Sequence, residues 1–263
     1  MRVAISPCPN DIFVFGPLIL GRVPWEGEPL KFEFLDIEAL NLRGEEDEAP
    51  DVLKCSFARF AELGHAYELC PVGAALGRGV GPLVVGRAGP PLAQRGAVLL
   101  PGPHTTAALL WRRYGPVFAE RALRYDRIAE ETAADPALVG VLIHEARFTY
   151  AQRGLELLLD LGAAWEQDTG LPLPLGAIAL HQRLPPATRG AFSQALRRSL
   201  AYAWEHVNEV EPLVLRHAQE MDPEVARRHI KLYVNEFTRD LGEQGWRAAR
   251  KLLELANARQ REA

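Results

Sequence analysis

The sequence predicts an α/β fold with mixed, mostly parallel sheets, two lobes and a helical C-terminal tail. Apolar runs typical of strands alternate with helix-like segments along much of the chain, and this alternation indicates βαβ units. Two segments rich in proline and glycine interrupt the alternation. From Pro186 onward the pattern is helical. These observations place the chain in the α/β class with an additional helical region.

Each element is assigned from its length, its apolar pattern and the residues that bound it. Strands are predicted near residues 2–6, 32–36, 51–55, 82–87, 96–100, 122–126, 138–143, 155–159 and 176–181. Helices are predicted between them at residues 11–20, 57–67, 105–114, 127–133, 147–153 and 161–168. The tail adds helices at residues 187–207, 211–219, 223–232 and 242–260. Asp222 and Pro223 are typical of an N-cap followed by the first helical position.

The two interrupting segments are predicted to be crossings between lobes. Gly77–Pro82 leads into one strand and Leu171–Gly176 into another. The α/β segment between them, residues 88–176, is predicted to be a smaller inserted lobe, while residues 1–87 plus 177–263 form a larger one. Two linkers at the ends of an insertion make a hinge, and the cleft between the lobes is the expected ligand site.

Composition restricts the classes of function. A chain of 263 residues has ample core for this fold, and its net charge of −4 argues against a nucleic-acid groove. The three cysteines, Cys8, Cys55 and Cys70, are too few and scattered for a disulfide framework or a zinc cage. No apolar stretch has the length of a membrane span, and the chain opens directly with a strand-like run. We therefore expect a cytoplasmic protein.

The clearest candidate for catalysis follows the strand predicted at 138–143. Val139–Ile143 is an apolar run that ends in His144 and Glu145, and open α/β sheets bind ligands beyond the carboxyl ends of their strands. An imidazole accepts protons near neutral pH, so His144 is a candidate general base; the alternative is a core histidine bonded to backbone. Glu145 is expected to point away from the imidazole, because neighbours on a strand face opposite sides. A zinc protease with the motif His-Glu-x-x-His would have its second histidine at the position of Phe148, so the sequence argues against a zinc protease.

A stiff loop, Ser6–Asp11, follows the first predicted strand. Its prolines restrict the backbone, so Asn10 and Asp11 are held either to cap the next helix or to contact substrate hydroxyls. Cys8 would be a nucleophile only beside a base, and nothing in the sequence supplies one.

Two further segments follow predicted strands and are expected to face the same cleft, one from each lobe. Lys54, Cys55 and Ser56 close the third strand; Ser56 is a candidate helix cap, and Lys54 supplies positive charge that suits an acidic ligand. His104–Ala107 leads into a helix whose first amides lack internal partners and attract a carboxylate or a phosphate. Ordinary capping by threonine is the alternative for the second segment.

Other residues are predicted to have hinge or packing roles. Gly77, Gly79 and Gly81 lack the spacing of a nucleotide-binding loop, and hinge flexibility explains them. The serines and histidines of the tail are expected on helix surfaces or in packing contacts, without a catalytic triad: Ser193, Ser199, His206, His217 and His229.

Four ordered motifs together resemble one enzyme family. The motifs are Ser6–Asp11, Ala75–Leu83, His104–Ala107 and Ile143–Tyr150, and the likeness extends to Gly170–Ala177. In this combination they resemble the 1,4-dihydroxy-6-naphthoate synthase family, which acts late in the futalosine route to menaquinone. The chain departs from the family pattern at Ile12, where threonine is common, and carries Cys55 at a variable position.

The resemblance implies a type II periplasmic-binding-protein-like fold and a carbon–carbon lyase that needs no cofactor and no metal. The substrate of such enzymes is cyclic dehypoxanthine futalosine, a fused-ring aromatic acid that still carries ribose-derived carbons. The histidine of the Ile-His-Glu motif, here His144, is implied to be the general base. The resemblance also implies residues that bind substrate in or near the cleft: Asn10, Asp11, Asn41, Lys54, Cys55, Ser56, Thr105, Thr106 and Ala107.

Two other functions stay open at this point. Chorismate dehydratase, a relative in the same pathway, also lacks a cofactor, but the motifs at Ser6–Asp11 and Ile143–Glu145 fit it less well. A solute-binding or sensor protein is the non-catalytic alternative, and the imidazole at the cleft argues against it. As partners we expect a small aromatic acid, no nucleic acid and no membrane, with the chain a monomer or a homodimer.

Overall fold

The computed structural model describes residues 1–218 and 222–260, with the backbone alone described at residues 259 and 260. Within these ranges the chain forms two mixed β-sheets, helices packed against them and a helical C-terminal region, so the predicted α/β class is confirmed. The last residue of the helix predicted at 211–219 lies outside the described residues.

The first sheet combines the beginning of the chain with one long strand that returns much later. Its strands are β1 (Arg2–Ile5), β2 (Lys31–Phe34), β3 (Val52–Ser56), β4 (Tyr67–Leu69), β5 (Ala75–Gly77) and β11 (Leu173–His181). The order is β2-β1-β3-β11-β4, and β5 also pairs with β11. Because β1 is parallel to β3, the loops that follow these two strands leave the same edge of the sheet.

The second sheet is formed by the middle of the chain. Its strands are β6 (Leu83–Arg87), β7 (Ala97–Leu100), β8 (Ala119–Ala122), β9 (Leu138–Leu142) and β10 (Leu155–Asp160), in the order β10-β6-β9-β7-β8. The sequence places the start of the inserted lobe after residue 87, whereas β6 already pairs with β9 and β10. The second sheet therefore begins at Leu83.

Helices connect the strands and form the C-terminal region. Between strands lie α1 (Pro9–Ile19), α2 (Ile37–Arg43), α3 (Phe57–Leu63), α4 (Thr106–Tyr114), α5 (Tyr125–Ala134), α6 (Ala146–Thr149) and α7 (Leu161–Thr169), with 3₁₀ turns at Leu92–Gln94 and Tyr150–Arg153. The C-terminal helices are α8 (Pro186–Glu205), α9 (Val207–His217), α10 (Pro223–Tyr233), α11 (Glu236–Arg239) and α12 (Gly242–Gln260). In the described ranges, none of the helices is both long and apolar enough to cross a membrane.

One apolar core fixes three of the C-terminal helices, α8, α9 and α10, against α1 and the first sheet. α1 packs against α8, α9 and α10 through a cluster that includes Phe13, Phe15, Phe192, Val210 and Ile230. Burying one such side chain contributes about 1.5–3 kcal/mol. This packing carries α10, from the end of the chain, to the loop that follows β1.

Parallel pairing is less frequent than the sequence predicts. The described strands make four parallel and five antiparallel pairs. The reason lies at the two crossings between sheets, where β6 enters the second sheet and β11 returns to the first. Each of these two strands runs antiparallel to its neighbours. The order of strands and helices along the sequence does not indicate the direction in which a strand pairs.

The sequence does not predict α2, α11, β4 or β5, and one predicted strand is misplaced. α2 begins after Asp36, whose side chain accepts hydrogen bonds from two amides of the first turn. β4 and β5 have three residues each and are held by pairing with β11, so they carry no periodicity of their own. The strand predicted at 122–126 lies at Ala119–Ala122 and is fully exposed, while the residues from Tyr125 belong to α5.

Candidate active site

A cavity opens between the two sheets, at the carboxyl ends of β1, β3, β7 and β9, and its empty space, with the open mouth included, is about 610 Å³. Side chains from both sheets and from α10 line it, as expected for a cleft between two lobes. The structure brings eight of the predicted site residues to this cavity: Asn10, Asp11, Lys54, Ser56, Thr105, Thr106, Ala107 and His144.

A buried ion pair forms one wall. Pro9 begins α1, where the fixed φ of proline suits the first helical position, and this start places Asn10 and Asp11 in the first turn. Lys54 Nζ donates to Asp11 Oδ1 over 2.7 Å, and Asn10 Nδ2 donates to the same oxygen over 2.8 Å. Burial raises the pKa of the Asp11 carboxyl, and the Lys54 ammonium group opposes that rise. The wall therefore combines a fixed cation with oriented polar groups.

Cys55 is a predicted site residue of β3 whose side chain does not line the cavity. Lys54 and Ser56 line the cavity, and because side chains alternate along a strand, Cys55 lies in the apolar core, fully buried. Burial raises the pKa of its thiol to about 12. The Cys55 side chain therefore packs in the core and does not reach a ligand in the cavity.

Asn41 lies behind the cavity wall and positions Ser56. Asn41 Oδ1 accepts from the Ser56 amide over 2.8 Å, and Asn41 Nδ2 donates to Ser56 Oγ over 3.1 Å. Because Ser56 Oγ accepts this bond, its own proton is left to donate to a ligand. Asn41 is fully buried and supports the site without lining the cavity.

The start of α4 faces this wall from the second sheet. Thr105 caps the helix by accepting from the Ala108 amide over 3.1 Å, so the capping alternative holds for this hydroxyl. Thr106 Oγ1 donates to the Leu175 carbonyl over 3.0 Å. The amides of Thr106 and Ala107, at the first two helical positions, have no partner within the helix and suit an anion.

His144 lies in a strained turn just beyond β9. The strand ends at Leu142, and His144 adopts a φ of +54°, the only positive φ of a non-glycine residue in the described ranges. A left-handed conformation costs such a residue about 1–2 kcal/mol, and strain of this kind is concentrated at functional sites. Here it accompanies an imidazole that lines the cavity.

The His144 ring is neutral and has one free nitrogen. Nδ1 lies 3.4 Å from Cys8 Sγ, and the Tyr125 ring packs edge-on at 4.8 Å between centroids. Nε2 is buried and has no hydrogen-bond partner within the described part of the chain. Burial, with Lys54 adding to it, lowers the pKa of His144 to about 4. At neutral pH the ring is therefore neutral, and in the tautomer whose proton lies on Nδ1, toward Cys8 Sγ, the lone pair lies on Nε2.

The contact between Cys8 and His144 corrects the sequence analysis, which found no base near this thiol. The two residues are distant in sequence, and the turn after β9 brings them together. Burial raises the pKa of Cys8 well above its ordinary value, and the carboxylates of Glu145 and Asp11 add to the rise. Cys8 is thus a protonated thiol and a weak hydrogen-bonding neighbour of the imidazole.

Glu145 does not point away from His144. Because the strand has already ended, alternation no longer applies, and ligand atoms of Cys8, His144 and Glu145 all lie within 4.8 Å of one another. A thiolate, an imidazole and a carboxylate are ligands that Zn²⁺ accepts. Burial opposes formation of the thiolate, so this trio suits a metal less well than its spacing suggests.

The structure adds His229 to the site. The residue lies on α10, is fully buried, and lines the cavity, whereas the sequence analysis gave it a surface or packing role. Its ring stacks on His144 with centroids 6.2 Å apart and planes 18° apart. Sequence offers no signal for this approach, because it depends on α10 packing against α1.

This arrangement can bind an organic acid and remove a proton from it. Lys54 and the first amides of α4 suit a carboxylate. His144 lines the same cavity, and because its ring is neutral at neutral pH, Nε2 is available to take a proton from a ligand when the ring proton lies on Nδ1. The residues present fit general base catalysis.

Known proteins resemble the chain over nearly its whole length. A family model described as menaquinone biosynthesis matches residues 1–258. The chain is 45% identical over 260 residues, 98% of its length, to 1,4-dihydroxy-6-naphthoate synthase from Thermus thermophilus, of which it covers 94%. A solved structure, protein AF1704 from Archaeoglobus fulgidus, is 33% identical with a TM-score of 0.92 over 98% of this chain and 97% of that one. The Candida albicans CA3427 gene product, described as having the generic periplasmic binding protein fold, aligns with a TM-score of 0.64 at 13% identity over 98% and 90% of the two chains.

Proposed function

The chain belongs to the menaquinone biosynthesis family and is an enzyme of that pathway, and we propose that it forms 1,4-dihydroxy-6-naphthoate by cleaving a carbon–carbon bond of cyclic dehypoxanthine futalosine. The proposal gives the catalytic step to His144. The periplasmic-binding-protein-like fold supplies the cleft in which this step takes place.

One observation carries the assignment of the base. His144 Nε2 is a buried nitrogen without a protein partner in the described residues, and its ring lines the cavity between the sheets. A buried polar atom left unpaired costs about 1–3 kcal/mol, so a ligand that supplies the missing donor gains that amount. A substrate hydroxyl is such a donor, and its proton is the one that the reaction removes.

The proposed step needs proton transfer and no electron transfer. His144 takes the hydroxyl proton, the O–H electron pair forms a carbonyl, and the neighbouring carbon–carbon bond breaks in a retro-aldol sense. The electrons of that bond move into the fused ring system, and aromatisation favours the products. Such base catalysis contributes typically about 10²–10⁴-fold. A bound carboxylate also raises the pKa of the imidazole, because the imidazolium that forms then has a negative neighbour.

The charged wall would hold the carboxylate of the substrate. Lys54 is the cation of the cavity lining, and the amides at the start of α4 and the Ser56 proton supply hydrogen-bond donors. These groups come from both sheets, so a bound substrate bridges them. We propose that the lobe built on the second sheet, which begins at Leu83, closes on the lobe built on the first sheet and excludes water during the step. The proposed setting is the cytoplasm, with the chain as a monomer or a homodimer.

Product analysis tests the proposal. Purified chain is incubated separately with cyclic dehypoxanthine futalosine and with chorismate, and products are identified by mass spectrometry. Formation of 1,4-dihydroxy-6-naphthoate and a sugar-derived fragment from the first compound supports the proposal. Dehydration of chorismate would instead assign the relative in the same pathway, and tight binding without conversion of either compound would indicate a binding protein.

A further inference from the structure

The second imidazole of the cavity has a hydrogen-bonding role that its neighbours determine. His229 Nε2 lies 2.9 Å from Asn10 Oδ1. Asp11 Oδ1 accepts from Lys54, so it is an acceptor atom, and the Asn10 side chain must turn its NH₂ group toward it. Asn10 then presents its carbonyl oxygen to His229. A carbonyl oxygen only accepts, so His229 Nε2 carries the ring proton.

The other nitrogen of His229 is therefore an acceptor. Burial, with the neighbouring His144, Arg147 and Lys54 adding to it, lowers the pKa of His229 well below its ordinary value, so the ring is neutral. Nδ1 holds a lone pair, is buried, and has no hydrogen-bond partner in the described ranges. Such an atom accepts from O–H or N–H groups and repels a carboxylate.

We propose that His229 is a second substrate-binding residue, whose Nδ1 accepts a hydrogen bond from a hydroxyl of the sugar-derived part of the substrate. The inference rests on the proposed function and adds a contact to it. The rings of His144 and His229 are nearly parallel, 6.2 Å apart, and line one cavity, so two hydroxyls of one ligand can engage both. His144 takes the proton of one, and His229 orients the other.

The chemistry of the wall supports this division. Lys54 and the start of α4 suit the acidic end of the substrate, whereas two neutral imidazoles suit its hydroxyl-bearing end. Tyr233 and Phe148 enclose His229, with ring centroids at 4.5 Å and 6.4 Å. The imidazole is thus held on three sides: by Asn10 through Nε2 and by these two aromatic rings. A mobile side chain would bind a hydroxyl less well, because ordering it costs entropy.

Two variants separate substrate contact from support of Asn10. In His229→Gln the amide nitrogen takes the place of Nε2 and keeps a donor toward Asn10, but the acceptor is lost. In His229→Asn the shorter side chain keeps an acceptor near the place of Nδ1 and loses the contact with Asn10. His206→Gln, at an exposed histidine outside the cavity, is the matched control.

Steady-state kinetics with cyclic dehypoxanthine futalosine and calorimetric binding of 1,4-dihydroxy-6-naphthoate give the readouts. The product lacks the sugar-derived hydroxyls, so we expect His229→Gln to leave the Kd of the product unchanged. We expect the same variant to lower kcat/KM about 10-fold, the loss of one hydrogen bond, and His229→Asn to retain more activity than His229→Gln.

Three results would overturn the inference. A kcat/KM of His229→Gln within about twofold of wild type would indicate that Nδ1 meets only water. A weaker affinity of His229→Gln for the product, alongside its lower kcat/KM, would indicate that His229 has a structural role. A lower activity of His229→Asn than of His229→Gln would indicate the same. If wild type itself fails to convert the substrate, the proposed function fails instead, and the two failures are distinguishable.

Discussion

Replacing Lys54 with methionine should destabilise the protein strongly. Lys54 and Asp11 are 4% and 2% exposed, and their charged atoms lie 2.7 Å apart. Methionine fills nearly the same volume, so the change removes the charge with little loss of packing. Its main effect is to leave the Asp11 carboxylate buried without its cation.

The size of the effect follows from this geometry. At an effective dielectric constant of about 20, unit charges 2.7 Å apart attract by about 6 kcal/mol. The desolvation of both ions offsets part of this attraction, while loss of one partner leaves an uncompensated charge. Breaking a buried pair in this way costs about 3–5 kcal/mol, and we expect a loss of that size for Lys54→Met.

Urea unfolding of wild type and variants measures this loss as a change in the free energy of unfolding. Lys31→Met, at an exposed lysine, is the matched control and should change stability by less than about 0.5 kcal/mol. Adding Asp11→Asn to Lys54→Met should restore part of the loss, because a neutral amide needs no counter-ion. A loss below about 1 kcal/mol for Lys54→Met would refute the reasoning, since it would mean that the buried carboxylate does not depend on the lysine.

Three further outcomes follow from the same contacts. Because the pKa of His144 is lowered to about 4, the ring loses its neutral, basic form only as the pH falls toward that value. We therefore expect kcat/KM to stay constant from pH 6 to 8 and to decline in acid. A pH profile of kcat/KM with its midpoint near 6.5 would contradict this. A methyl group at Gly81 would clash with the Gly162 Cα, so Gly81→Ala should lower the free energy of unfolding by about 1–3 kcal/mol, measured by urea titration. The control is Gly190→Ala on α8, where a methyl group meets open space, and this variant should not be destabilised. Dialysis against EDTA should leave turnover unchanged, because burial keeps the Cys8 thiol protonated and unsuited to a metal; loss of turnover restored by Zn²⁺ would show the opposite.

The sequence predicts the parts of the site that follow strands. Val139–Ile143 is apolar and β-branched, so the end of β9 and the position of His144 at the cavity follow from simple patterning. The same reasoning places Asp11, Lys54 and Thr106 at the cleft between the lobes, and all three line the cavity. Such residues are predictable because their position depends on the element that immediately precedes them.

Features that depend on distant packing could not be predicted. β4 and β5 exist because β11 pairs with them, and the left-handed φ of His144 reflects the turn in which it lies. Cys8 meets His144 across 136 positions of the chain. His229 reaches the cavity only because α10 packs on α1. None of these contacts has a local signature in the residues that make it.

Turnover and product binding in His144→Ala together test whether His144 is the base. If the neutral imidazole is the base, kcat with cyclic dehypoxanthine futalosine should fall by about 10²–10⁴-fold, while the Kd of 1,4-dihydroxy-6-naphthoate and the unfolding midpoint stay close to wild type. Turnover near the wild-type rate in this variant would show that His144 does not remove the substrate proton.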